Sequence, residues 1–132
     1  MRLSSDDYMQ ISDLAQKLGI TTRTIRLYEQ LGLVDPPQRT EGGIRVYEKA
    51  DATRFKFVLK LKALGLTLAE MKELADLYNR EARVPDKIMP RLLDLLDRHL
   101  SAISRRVGKL QSLEKEISAY RQRIVDQFKL SR

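Results

Sequence analysis

Apolar residues recur at helical spacing in successive stretches of the chain, and short breaks rich in glycine, threonine and proline separate them. Ile11, Leu14, Ala15 and Leu18 form the first stripe, with Ser12 as the expected N-cap and Gly19 as a terminating glycine. Thr21 or Thr22 then caps a second helix, whose inward positions are Ile25, Tyr28 and Leu31 and whose end is marked by Gly32. Two short helices joined by a tight turn predict a helix-turn-helix, a motif that sets its second helix in the DNA major groove. Pro36-Pro37 stops the helical pattern. Gln38-Arg39-Thr40 and Ile44-Arg45-Val46-Tyr47 flank Glu41-Gly42-Gly43, which predicts a short hairpin with positive-φ glycines at its tip.

A third helix is expected over 49–64, with Ala52, Phe55, Val58 and Leu59 inward, a basic flank of Lys56, Lys60 and Lys62, and Gly65 at its end. Thr67 followed by Glu70 reads as a capping box, opening a helix with the stripe Leu68, Met71, Leu74, Ala75 and Tyr78. Met71 is read there as core filler. A polar joint follows at 79–85, and the start of a long helix is placed near Pro90. From Pro90 to Phe128, 39 residues would span about 58 Å, too long to be wrapped within a domain of this size.

Met89, Leu96, Ile103, Leu110, Ile117 and Ile124 repeat every seven residues in that segment. Leu100, Val107, Leu113 and Tyr120 fall between them, as in a coiled-coil seam with some drift. A single chain would leave most of them wet, which predicts homodimerisation through Leu96, Leu100, Ile103, Val107, Leu110, Leu113, Ile117, Tyr120 and Ile124. A helix folded back on the first 80 residues is the alternative. The fold class expected is therefore mainly α: a winged helix-turn-helix head over 1–80, then a joint and coiled-coil helix over 81–132.

Composition narrows the function. The chain has no cysteine and one histidine, His99, so thiolate catalysis, iron–sulfur clusters and thiol-based metal sites are excluded and no cofactor is expected. An enzyme is improbable. No apolar run approaches a membrane span, and residues 1–7 do not read as a signal peptide, so a cytoplasmic protein is expected. The net charge is +7, and 10 basic residues between Lys17 and Lys62 face only 5 acids. Such a field attracts polyanions, although a solvated basic surface accounts for the charge alone equally well. On the second helix Thr22, Arg23 and Arg26 lie away from the Ile25 face, where arginine suits guanine or phosphate and threonine a phosphate. Arg39 and Arg45 stand on the hairpin as a basic wing.

Ile11-Ser12-Asp13-Leu14-Ala15, then Thr21-Thr22-Arg23-Thr24-Ile25-Arg26-Leu27-Tyr28-Glu29 and Gly32-Leu33, resemble the mercury-resistance regulator (MerR) family of bacterial transcription factors. Arg39 to Tyr47, Arg54-Phe55 and Lys62 to Glu70 continue the resemblance, which spans about residues 10–77. It implies a homodimer joined by an antiparallel coiled coil and bound to double-stranded promoter DNA. It further implies DNA contacts from Thr22, Arg23, Arg26 and Tyr28 on the recognition helix, from Arg39, Gly43, Arg45 and Tyr47 on the wing, and from Lys62 on the third helix. Leu27 departs from the family's paired aromatics and brings no hydroxyl to that position. An ion pair of Glu29 with Arg54 is expected to brace the recognition helix.

Relatives of this kind act by bending and untwisting an overlong promoter spacer, so that RNA polymerase is engaged indirectly. An architectural or chromosome-anchoring protein would use the same head without promoter control. With no cysteines for a metal and only 129–132 beyond the long helix, the resemblance leaves either a small organic effector near the joint at 78–90 or none. The segment 57–65 looks somewhat like the family's regulators of branched-chain amino-acid and acyl-CoA catabolism.

Overall fold

The computed structural model describes residues 8–130, which form two compact units, one running to Leu92 and the other from Leu93. Helix α1 (Ile11–Leu18) is capped by Gln10, whose backbone N–H donates to the Asp13 carboxylate, so the cap lies two residues before the expected Ser12. Asp13 at the third helical position makes the difference, because its carboxylate reaches back to the chain entering the helix. Gly19 closes α1 with φ of 69°, a left-handed conformation that a Cβ disfavours. Thr21 caps α2 (Thr22–Gln30), accepting from the Thr24 N–H at 3.1 Å. Leu14, Ala15, Ile25 and Tyr28 are the buried face of the pair, which packs together and, through α1, on α3.

Strands β1 (Gln38–Arg39) and β2 (Arg45–Val46) form the antiparallel hairpin, with Gln38 opposite Val46 and Arg39 opposite Arg45. Only one tip glycine has positive φ, Gly43 at 81°, where two were expected. The Met9 and Tyr47 backbones exchange hydrogen bonds at 2.9 and 2.8 Å, an added bridge on the far side of β2 that no sequence pattern announces.

Helix α3 (Lys49–Ala63) buries Ala52, Phe55, Val58 and Leu61, while Leu59, expected inward, is half-buried. A step of three residues from Val58 keeps the stripe on one face. Helix α4 (Leu68–Arg80) opens on the Thr67–Glu70 box, with reciprocal bonds of 2.8 and 3.1 Å. It buries Met71, Leu74 and Ala75 but leaves Leu68 exposed and Tyr78 half-buried.

At the joint, Ala82 and Arg83 both adopt positive φ, 56° and 58°. A 3₁₀ turn at Pro85–Lys87 leads into α5 (Met89–Phe128), 40 unbroken helical residues. From Leu93 onward the apolar positions of α5 are largely open: Leu100, Leu110, Ile117 and Tyr120 are each 60% exposed or more. No helix of the described residues is long and apolar enough to cross a membrane.

The cap geometry gives a direct contrast. Thr67→Ala should lower stability by about 1 kcal/mol in urea unfolding. Ser12→Ala, at an exposed position inside α1, should change it by less than about 0.5 kcal/mol.

Candidate nucleic-acid interface

The candidate contact residues sit on three elements. On α2 the buried positions Ile25 and Tyr28 leave Arg23 and Arg26, one turn apart, exposed on the opposite side, with Thr22 half-buried at the helix start. Positive partial charge at that helix start adds to the two guanidinium groups. On the wing, Arg39 and Gly43 are exposed, and the Arg39 guanidinium donates to the Gly43 carbonyl at 2.8 Å. Thr40 holds the tip from within, its hydroxyl accepting from the Ile44 N–H at 3.2 Å. Lys62, exposed on α3, places its ammonium 5.8 Å from the centre of the Tyr28 ring.

Two of the candidates are buried. Tyr28 stacks on Phe55 with ring centroids 6.3 Å apart, and among the described residues its buried hydroxyl has no hydrogen-bond partner. Tyr47 is 1% exposed, and its hydroxyl donates to Glu29 at 2.8 Å. The other Glu29 oxygen accepts from Arg45 at 2.8 Å. The Glu29 side chain is only 7% exposed, so this bidentate arrangement ties the recognition helix to the wing in a largely water-free place.

The expected Glu29–Arg54 pair does not form. Arg54 instead donates to the Leu33 carbonyl at 3.3 Å and lies 4.5 Å over the Tyr78 ring, while the hairpin brings Arg45 to Glu29. The wing thus supplies the cation expected from α3. Glu29, Arg45 and Tyr47 were each visible in the sequence, but their meeting depends on how the hairpin folds against α2.

Burial and the hydrogen bond to Glu29 push the Tyr47 phenol up to about 12, from an ordinary value of 10.0. A group whose folded value is raised contributes stability that is complete below the unfolded value and is lost as pH climbs through the folded one. The stability advantage of the wild-type chain over Tyr47→Phe should therefore hold up to about pH 10 and vanish by about pH 12. Urea unfolding of both chains across that window measures it. A double-mutant cycle between Glu29→Ala and Arg45→Ala should show coupling of about 0.5–3 kcal/mol.

The chain as a whole is similar to known proteins. The family model of MerR helix-turn-helix regulatory proteins matches residues 9–77, and a second, for MerR DNA binding, matches 52–120. The chain is 34% identical over 117 residues to the HTH-type transcriptional regulator ZntR homolog of Haemophilus influenzae, covering 89% of this chain and 84% of that one. It superposes with a TM-score of 0.67 on the regulator PbrR691 of Ralstonia metallidurans, solved in complex with lead(II), at 29% identity and 86% coverage of each chain. HiNmlR, a MerR family regulator lacking the sensor domain and solved on promoter DNA, shares the fold with a TM-score of 0.59. It is 23% identical, over 87% of this chain and 91% of that one. This chain has no cysteine, and among the described residues no three His, Asp or Glu side chains are grouped to hold a metal ion. It belongs to the MerR family of helix-turn-helix transcription regulators, non-enzymatic proteins that bind promoter DNA.

Proposed function

We propose that the chain is a cytoplasmic homodimer whose two heads read the halves of a pseudo-palindromic operator and distort the promoter between them. The observation that supports this best is the exposed pair Arg23 and Arg26 on a helix braced to its wing by Glu29. Thr22, Arg23 and Arg26 enter the major groove, and Arg39 and Gly43 meet the flanking backbone. Arg45 and Tyr47 serve the interface from behind, by holding Glu29 and hence the angle between helix and wing. Lys62, exposed on α3 beside the Tyr28 ring, holds a backbone phosphate, and Tyr28 supports it from within the head.

Dimerisation uses the apolar row of α5 from Leu96 through Leu100, Ile103, Val107, Leu110, Leu113, Ile117 and Tyr120 to Ile124. Seven of these nine are more than 45% exposed in the single chain. Burying each would contribute roughly 1.5–3 kcal/mol, enough to hold two such helices together against the entropy of association. The head is read as residues 1–80 and the joint with its helix as 81–132. RNA polymerase is reached through the shape of the promoter rather than by contact. Within the family, the segment Phe57 to Gly65 favours the regulators of branched-chain amino-acid and acyl-CoA catabolism.

Footprinting of the purified protein on its own upstream region tests the reading, with a discrete two-fold site between promoter elements as the expected result. Protection spread evenly along the fragment would instead indicate an architectural protein. On that operator, Arg23→Ala should cost about 1–3 kcal/mol and relax base preference, whereas Lys62→Ala should weaken all sequences alike and reduce the salt slope by about 1. Leu110→Asp should sediment as a single chain and lose operator binding, because a carboxylate in the seam meets its own copy or an apolar neighbour.

A further inference from the structure

Within the unit that ends at Leu92, α3 and α4 do not close fully on one another. Between them lies a half-open cavity of about 290 Å³, lined by Phe57, Leu61, Met71 and Leu74 and, at the joint, by Ile88 and Met89. This volume lies just under the usual range of small-molecule sites, about 300–1,000 Å³. Short side chains create the space: Ala50, Thr53 and Ala75 stand where larger residues would fill it.

One cation borders this apolar space. The half-buried Arg54 lines it and carries five N–H donors, of which the Leu33 carbonyl takes one at 3.3 Å. Its face rests on Tyr78, also a lining residue, and no carboxylate among the described residues lies within ion-pair distance of it. Asp35, the acid whose charge acts on Arg54, is already bound by Arg83, whose guanidinium is 5.2 Å from the centre of the same Tyr78 ring. Asp35 is thus engaged by Arg83, which leaves Arg54 as the cation on the cavity lining without a carboxylate of its own among the described residues. Burial, and the like charge of Arg83, hold Arg54 below the usual arginine range while Asp35 opposes them, and an added anion would relieve that cost.

We propose that this cavity binds a small amphipathic carboxylate, its apolar body between Phe57, Leu61 and Met71 and its carboxylate held by Arg54. An alcohol of the same length would fill the space but form neither an ion pair nor a bidentate bond with the guanidinium. Pro85, Ile88 and Met89 line the site, so its occupant touches the joint from which α5 departs. As a route to promoter control the inference rests on the regulator reading given above. Binding itself does not.

The test uses the full chain with ¹³C-methyl methionine, titrated with octanoate and separately with octanol. Octanoate should shift the Met71 and Met89 methyl signals saturably and leave Met9 unmoved, with affinity about tenfold or more above that of octanol. Arg54→Gln should abolish that preference and keep octanol binding, and Arg54→Lys should restore part of it. If Arg54→Gln does not fold, Ala50→Leu, at an exposed position on the cavity wall, should weaken both ligands equally.

No saturable shift at Met71 and Met89, as when a second copy of the chain fills the cavity, would overturn the inference. So would equal affinity for the acid and the alcohol. Binding of the wild-type chain to its upstream DNA is measured on the same preparation. Intact DNA binding without methyl shifts sinks the ligand site alone, and methyl shifts without DNA binding sink the regulator reading alone.

Discussion

A single carboxylate decides where the arginines of this protein point. Glu29 sits at the inner end of the recognition helix with 7% of its side chain exposed, and both of its oxygens are engaged by the wing, one by Arg45 and one by Tyr47. A charge so placed is costly unless paired, and truncating one partner of a buried pair leaves the other uncompensated. The bond is therefore less a source of raw stability than a constraint on geometry. It fixes the hairpin against α2, and with it the spacing between Arg23, Arg26 and Arg39.

The wing is held from its other side as well. Tyr47 pairs through its backbone with Met9 and through its hydroxyl with Glu29, so β2 is anchored on both flanks although the hairpin has only two residue pairs of its own. A hairpin this short is marginal in isolation. Arg39 adds a brace at the tip through the Gly43 carbonyl. Rigidity here comes from side chains and one neighbouring strand-like segment, not from the length of the sheet.

Much of this was legible in the residues. The Thr67–Glu70 box, the terminating glycines at 19 and 65, and the stripe of Leu14, Ala15, Ile25 and Tyr28 all emerge where local chemistry places them. Those signals are local, carried by residues three or four apart. The misses share the opposite character. Helix adjacency pairs Glu29 with Arg54, whereas the fold of the hairpin brings Arg45 to it instead. Leu59 and Leu61 are equally apolar, and only the packed fold selects Leu61 as the buried one. The cap at Gln10 was hidden because glutamine is a weak capping residue and its partner Asp13 does the bonding. The cavity was invisible for a related reason: it is made by what Ala50, Thr53 and Ala75 lack.

The joint carries a constraint of its own. Ala82 and Arg83 are consecutive left-handed residues, neither a glycine, and conformations of that kind cost about 1–3 kcal/mol each. Arg83 offsets part of this through Asp35, Asn79 and Tyr78. Mutational tolerance along this hinge is consequently lopsided. Glycine or asparagine at 82 would be accepted with ease, whereas valine or isoleucine, branched next to the backbone, would force the loop into another path. The turn leading into α5 would then be rebuilt while every candidate contact side chain stays intact.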